Sequence, residues 1–271
     1  MTASERSLET LKGGLDEVRS TLTSRNAQNT GIAAIAPLVM PLLENRHYEK
    51  SIFQAALDSR RVSLDSFYRG LFVTSVSVFE VFIKMFASAL TQIRSQNANK
   101  FSDLPETFRQ RYIVHAANVL SHVGSGSVKG IPYNFLALQN SIGLCFSDKI
   151  KPTLDGEVYT ILMGNPTWER LTNLLKSLGI HDPFDQTFGS NTNIKNWGNA
   201  TWKKNIAEAE AKLDVLMNKR NLIVHSAKPV SIVEQDIVEA CNFFEAMARG
   251  LVDVMPTRII HNVKEQHEPQ Q

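Results

Sequence analysis

The sequence lacks the features that mark a secreted or membrane-spanning protein. Its N-terminus, MTASERSLETLK, is polar and contains no apolar segment of the kind found in signal peptides. The longest apolar run, residues 71–90, contains Glu80 and Lys84, whereas a membrane-spanning helix needs about 20 residues with few charges. We therefore expect a cytoplasmic protein with no membrane partner.

Cysteine is scarce, with 2 in 271 residues. Cys145 and Cys241 lie far apart within apolar helical patterns, so we interpret them as small buried side chains in a reducing compartment. The sequence contains no HExxH, no CxxC and no glycine-rich phosphate loop. We expect neither a metal nor any other cofactor.

Net charge is also small, at +2. Charged residues make up 21% of the chain and apolar residues 43%, which is ordinary for a folded globular protein. A charge this low does not indicate a nucleic-acid-binding protein by itself. Any RNA-binding surface must come from local clustering of basic side chains.

Strand signals are scarce, and apolar residues recur at helical spacing along most of the chain. We predict an N-terminal helical extension over residues 1–45, a main helical domain over 46–255 and a polar tail over 256–271. Residues 180–198 show no clear period and contain many turn formers. The predicted helices of the main domain are 62–94, 105–122, 133–146, 167–178, 201–227 and 231–254.

Several helix ends can be predicted as well. We expect Pro41 to break the short segment between Pro37 and Glu44. Asn165 is the predicted N-cap of helix 167–178, and Ser231 is the predicted capping residue of helix 231–254. Helix 62–94 is aromatic and apolar on most sides, which is typical of the central helix of a bundle.

The candidate catalytic segment is Arg220-Asn221-Leu222-Ile223-Val224-His225. An Arg followed closely by a His is a weak signal, since about one such match is expected by chance in a chain of this composition. Arg109 and His115 form a second match of the same kind. The surroundings of each pair must therefore distinguish them.

Arg220 lies within an apolar stripe when residues 213–227 are placed on a helix. A charge in that position is unfavourable unless a partner neutralises it. Phosphate is one candidate partner, because the guanidinium group presents a planar set of donors that matches it. The carboxylate of Glu80, in the apolar part of the long helix, is the alternative. The apolar neighbours on the stripe are Leu213, Leu216, Met217, Ile223, Val224 and Ala227.

The neighbouring face of the same predicted helix is polar. Asp214, Asn218, Asn221 and His225 lie on it, and Asn221 is one turn from His225. Histidine has an ordinary pKa of about 6.5 and can act as an acid or a base near neutral pH. This face therefore combines a proton-transfer group with side chains that can orient a substrate.

Basic and aromatic residues surround the segment. Trp197 and Trp202 are candidates for stacking on bases, and burial in the core is the alternative. For the basic residues the alternative is a solvated surface. We predict RNA contacts for Lys203, Lys204, Lys219 and Lys228.

The segment 213–225 resembles the signature of the HEPN superfamily: an Arg, a polar residue that is most often Asn, three further residues and a His. The run 174–180 and the long helix that carries Glu80 resemble the RiboL-PSP branch. The resemblance covers roughly residues 46–253 and is strongest over 205–245. Members of the branch often have Ala before the His and Gly after it, whereas this chain has Val224 and Ser226.

The resemblance implies an all-α fold: a HEPN-like helical bundle with a four-helix up-and-down core, insertions and an N-terminal helical extension. It further implies a homodimer in which two Arg/His pairs face each other across a shared cleft. The expected activity is metal-independent cleavage of single-stranded RNA by a toxin or anti-phage defence effector. An antitoxin or a defence-system protein is an expected partner. The alternative is a catalytically inactive HEPN dimer that binds RNA, a nucleotide or a partner protein.

The chemistry of RNA agrees with these residues. RNA carries its own nucleophile, the 2′-OH, so cleavage needs a base, an acid and charge stabilisation without a metal. We expect Arg220 to stabilise the phosphate, His225 to transfer protons, and Asn221 to orient the phosphate or hold His225. Glu80 and Asn218 are expected to support them.

Overall fold

The computed structural model describes residues 2–42, 47–147, 151–180, 184, 202–226 and 230–265. Helices dominate these residues, and the predicted all-α class is confirmed. The one sheet among them is a two-residue antiparallel hairpin, β1 (Ser127–Val128) with β2 (Ile131–Pro132). The helices are α1 (Ala3–Leu42), α2 (His47–Asn97), α3 (Glu106–Leu120), α4 (Phe135–Ser147), α5 (Trp168–Ser177), α6 (Trp202–His225) and α7 (Glu234–Glu265).

Two helices run through prolines at which the sequence predicts a break or an end. Helix α1 continues through Pro37 and Pro41 to Leu42, so the predicted break at Pro41 is wrong. Both prolines are exposed and lie near the end of the helix, where solvent can reach the carbonyl groups that lose their donors. Helix α7 likewise continues past Val254, its predicted end, and through Pro256.

Two helix starts are shifted from their predicted positions. The N-cap of α5 is Thr167, whose hydroxyl accepts a hydrogen bond from the Arg170 N–H, rather than Asn165. Helix α7 begins at Glu234, three residues after the predicted capping residue Ser231. In α7 the carboxylate of Asp236 accepts the Val233 N–H at 3.0 Å, which is half of a capping box.

The chain forms two compact units. The first comprises residues 1–10, 80–217 and 246–271, and the second comprises residues 11–79 and 218–245. Helices α1, α2, α6 and α7 each contribute to both units. The predicted domain boundaries near residues 45 and 255 are not tested by this division and stay predictions.

In the second unit, α1 packs closely on α2 and α7. Leu11, Leu15 and Val18 are buried at the helical spacing read from the sequence. A Cβ atom at Gly14 would lie 2.8 Å from Cγ1 of Val78, so the two backbones approach more closely than an alanine would allow. Nη2 of Arg19 donates to Oε2 of Glu245 at 2.9 Å and so links α1 to α7.

Aromatic stacking contributes to the same unit. The rings of Phe79 on α2 and Phe244 on α7 stack with their centroids 4.6 Å apart. Such a pair adds about 1 kcal/mol beyond the area that it buries. The free thiol of Cys241 is buried beside these aromatics on α7, as the sequence predicts, and burial raises its pKa to about 11.

The first unit contains an arginine that is almost fully buried. Nε of Arg94 donates to the Leu178 carbonyl at 2.9 Å, and Nη2 donates to the Gly179 carbonyl at 3.2 Å. Its guanidinium group also lies 5.2 Å from the ring centre of Phe108. Burial lowers the pKa of Arg94 to about 10. Arg94 therefore fixes the end of α5, where Gly179 adopts a φ of 79° that disfavours other residues.

One described helical stretch, Leu64–Asn97, is long and apolar enough to cross a membrane by length and composition alone. Of its most apolar window, 44% is buried inside the protein. The core helix of a soluble protein meets the same criterion, so the stretch is weak support for a membrane span.

Candidate functional site

The candidate site lies at the C-terminal end of α6, where the helix changes from buried to exposed. Met217 is 0% exposed, whereas Val224 is 46% exposed. The sequence placed Val224 on the buried stripe, and this prediction is wrong because the last turn of α6 is covered less than its middle. The apolar stripe is therefore exposed to solvent around Arg220. Ala227, which was also predicted to lie on the stripe, is outside the described residues.

Arg220 is half-buried, and its guanidinium group is largely without partners. Nε is buried and has no hydrogen-bond partner, while Nη1 donates to Oδ1 of Asn221 at 3.4 Å. That distance is long for an N–H···O bond. Among the described residues of its own unit, no carboxylate forms an ion pair with Arg220. Its remaining donors are available to an anionic ligand.

His225 is the last residue of α6, and its side chain is exposed. Asn218, two turns earlier on the same face, is exposed as well. Leu222 lies between them in sequence and is 53% exposed. The imidazole is therefore accessible to a substrate and has apolar surface beside it.

Lys219 has a partner within the protein. Nζ of Lys219 donates to Oδ1 of Asp236 at 2.8 Å and lies 5.9 Å from the ring centre of Phe72. The predicted contact of Lys219 with RNA stays a prediction, and the structure adds an intramolecular role. The ion pair attaches the turn of α6 that carries Arg220 to the start of α7.

Asp236 is the residue near the site that the sequence reasoning missed. One carboxylate oxygen accepts from Lys219, and the other accepts the Val233 N–H at 3.0 Å. It lies 17 residues from Lys219, so no periodicity within a single helix reveals the pair. An acidic residue in the first turn of α7 was the available signal, because such residues cap helices.

Asp214, which the sequence placed on the polar face, has a structural partner. Its Oδ1 accepts the backbone N–H of Trp168 at 2.9 Å. That N–H is one of the unsatisfied donors in the first turn of α5. Asp214, a residue of α6, therefore caps the N-terminus of α5.

Glu80 carries a buried carboxylate oxygen, Oε1, that has no hydrogen-bond partner in the described part of the chain. Glu80 and Arg220 belong to different compact units. The ion pair between them, the alternative to phosphate binding by Arg220, stays a prediction.

Several predicted contacts fall on residues whose side chains the structure does not describe. Lys203, Lys204 and Trp202 lie in the first turn of α6, but their side chains are outside the described set. Lys228 and Trp197 are outside it altogether. Their predicted contacts with RNA stay predictions.

The second Arg/His match has a structural role. Nε of Arg109 donates to the Leu104 carbonyl at 3.0 Å. His115 is half-buried, its Nε2 lies 3.3 Å from Oγ of Ser177, and its ring centre is 5.0 Å from that of Tyr159. This pair is held within the protein, whereas Arg220 and His225 lie at an open helix end.

An all-α fold with an Arg/Asn/His segment at an open helix end is the arrangement that the HEPN resemblance implies. The family model described as RiboL-PSP-HEPN matches residues 43–256, and the chain belongs to this family. This confirms the resemblance read from the sequence. No curated protein and no solved structure matches the chain. Membership indicates a nuclease-type or RNA-related role.

Proposed function

We propose that the protein is a metal-independent endoribonuclease that cleaves single-stranded RNA with Arg220 and His225. The observation that carries the proposal is the half-buried guanidinium of Arg220, which has a buried Nε without a partner and no ion pair among the described residues of its own unit. A guanidinium group in this state is suited to a phosphodiester, because charge-assisted bonds to phosphate satisfy several of its donors at once.

The proposed reaction uses the 2′-OH of RNA as nucleophile. One His225 accepts the 2′-OH proton as the oxygen attacks phosphorus, and a second His225 donates a proton to the leaving 5′-oxygen. Arg220 stabilises the negative charge of the pentacoordinate phosphate. The products are a 2′,3′-cyclic phosphate and a free 5′-OH, and no metal ion takes part.

Two histidines in one site require two chains, since each chain supplies one His225. Val215, Leu222 and Val224 are all about half exposed on α6. Exposed apolar side chains next to a polar site are typical of interaction surfaces. We infer a homodimer in which the ends of α6 from two protomers form a shared cleft.

A cytoplasmic enzyme that cuts single-stranded RNA needs control, because cellular messages are its substrates. We propose that the protein acts as a toxin or anti-phage effector and that an antitoxin or defence-system protein restrains it. The observations in favour are the family membership and the open position of His225.

The activity is tested by incubating a 5′-labelled single-stranded RNA with the protein in EDTA. Wild type should produce fragments that end in 2′,3′-cyclic phosphate, and Arg220→Ala and His225→Gln should each lose at least about 100-fold in rate. Specific activity should fall on dilution if the cleft is shared between protomers. RNA that binds without being cut would favour the alternative, a catalytically inactive HEPN dimer, and no loss in either variant would overturn the assignment of the site.

A further inference from the structure

Helix α4 has one buried face and one exposed apolar face. Its buried face, which includes Ser141 and Cys145, packs against α3, and Oη of Tyr112 lies 3.1 Å from Oγ of Ser141. On the opposite face, the side chains of Leu136 and Phe146 are 67% and 73% exposed. These are the highest values among the large apolar side chains that the structure describes. Exposed apolar surface of this kind is typical of interaction sites.

The exposed residues of α4 have the spacing of a helix–helix contact. Leu136, Gln139, Gly143 and Phe146 are all exposed and follow one another at intervals of three, four and three residues. That spacing places them on one narrow stripe along the helix, as in the seam of a coiled coil. The stripe is therefore suited to a second helix that lies along it.

The charge pattern around the stripe favours one kind of partner. Residues 130–147 contain no Asp, Glu, Lys, Arg or His. Helices that lie on membrane surfaces carry Lys and Arg on their polar face, and contacts with nucleic acid require basic side chains. An uncharged stripe can lie against a copy of itself without like-charge repulsion. A second copy of this chain therefore fits the stripe better than a lipid surface or a nucleic acid does.

The stripe is also complementary to itself in size when two copies run antiparallel. A two-fold axis level with Ser141 brings Leu136 against the partner's Phe146, because the two residues are equally far from the axis. The same axis brings Gln139 against the partner's Gly143. The two large apolar side chains thus contact each other, and the long polar side chain lies over the residue that has none.

Gly143 is consistent with close approach of a second helix. Glycine inside a helix is unfavourable, because it restricts a flexible backbone and contributes no side chain to packing. A Cβ atom at Gly143 would meet nothing within 4 Å in the described part of the chain. Packing within the described chain therefore does not require glycine here, whereas a helix backbone lying against this position would.

We propose that α4 is a contact between two copies of this chain, which pair antiparallel through the stripe. A helix of 13 residues is about 20 Å long, so the contact buries roughly 800 Å² in total. This area is below the roughly 1,200 Å² at which stable interfaces begin, so the pair forms reversibly and at high protein concentration. The contact uses none of the residues of the proposed cleavage reaction and does not depend on it.

The test is analytical ultracentrifugation of the full chain at concentrations from about 5 to 500 µM, which suits a weak interface. The variants are Leu136→Glu, Phe146→Lys and the double variant that combines them. Val114→Glu is the matched control, because Val114 is an apolar residue of α3 that is 52% exposed and lies outside the stripe. A melting curve confirms that each variant is folded.

At the highest concentration, wild type should reach at least twice the mass of either single variant, because each variant sets a charge against an apolar side chain. The double variant should recover most of the wild-type mass, since the introduced Glu then faces the introduced Lys of the partner. The two positions are about 15 Å apart along the helix, so these charges cannot pair within one chain. Val114→Glu should behave as wild type does. The twofold ratio is expected whether or not α6 also forms a dimer.

The proposal is overturned if the single variants reach the wild-type mass at the highest concentration, which is also the result expected if a different protein covers α4. Failure of the double variant to associate overturns the antiparallel pairing, because a parallel pair would place like charges together. An equal loss of mass in Val114→Glu overturns the assignment to α4.

Discussion

Adjacent glycines in α1, Gly13 and Gly14, should respond differently to the same substitution. Both lie inside the helix. A Cβ atom at Gly13 meets nothing within 4 Å, whereas one at Gly14 would lie 2.8 and 3.0 Å from the two methyl carbons of Val78. Val78 is β-branched and on a helix, so it has essentially one favourable rotamer and cannot turn away.

The magnitudes follow from helix propensity and packing. Replacing Gly by Ala in a helix interior stabilises by about 1 kcal/mol. Gly13→Ala should gain that amount. Gly14→Ala gains it too but also incurs an overpacking cost of roughly 1–3 kcal/mol. We therefore expect the free energies of unfolding of the two variants to differ by about 1–3 kcal/mol, with Gly13→Ala the more stable.

Chemical denaturation in urea, followed by far-UV circular dichroism, measures this difference directly. The Val78→Ala background provides a further check, because removal of the two methyl groups should bring Gly14→Ala close to Gly13→Ala. Equal effects of the two glycine substitutions in the wild-type background would refute the close packing of α1 on α2.

Two further predictions concern a titrating side chain and an ion pair. Burial, and to a smaller extent Arg111, lowers the pKa of His115, so the unfolded chain takes up a proton at higher pH than the folded protein does. The free energy of unfolding should therefore fall as pH drops from about 6.5 towards that lowered pKa. His115→Gln should remove this part of the acid sensitivity, and melting curves as acid-sensitive as those of wild type would contradict the prediction. Asp236→Asn and Lys219→Gln should each change the free energy of unfolding by less than about 1 kcal/mol, because ion pairs that solvent reaches contribute little and both side chains are 28% exposed. Each variant should nevertheless slow RNA cleavage, because the ion pair attaches the turn that carries Arg220 to the start of α7. Combining them should cause no further loss, and additive losses would show that the two residues act separately.

Much of the fold was predictable because it depends on local periodicity. The apolar spacing of Leu11, Leu15 and Val18 predicted a helix with one buried face, and the structure has that helix. The aromatic run in α2 likewise predicted a central helix, although α2 begins at His47, well before the predicted start. Helix ends were less predictable. Proline normally breaks a helix, but near an exposed end the lost hydrogen bonds can go to solvent, as at Pro37 and Pro41.

The sequence predicted where the candidate residues lie along the chain but not their environment. It located Arg220, Asn221 and His225 on one helix, and all three lie on α6. Their roles in catalysis stay predictions. The sequence also predicted that Val224 is buried, but its side chain is 46% exposed. Helical spacing shows which residues share a stripe, but it does not show where the covering helices end. Asp236 was missed for a related reason, since its contact with Lys219 is tertiary.

The two Arg/His pairs of this chain allow a matched test of the central claim, that Arg220 and His225 cleave RNA. Single-stranded RNA is incubated in EDTA with wild type, Arg220→Ala, His225→Gln, Arg109→Ala and His115→Gln, each confirmed as folded by its melting curve. We expect Arg220→Ala and His225→Gln to lose cleavage by at least about 100-fold. Arg109→Ala and His115→Gln should retain it, because their side chains bond within the protein. Equal losses in both pairs, or full activity in His225→Gln, would contradict the claim.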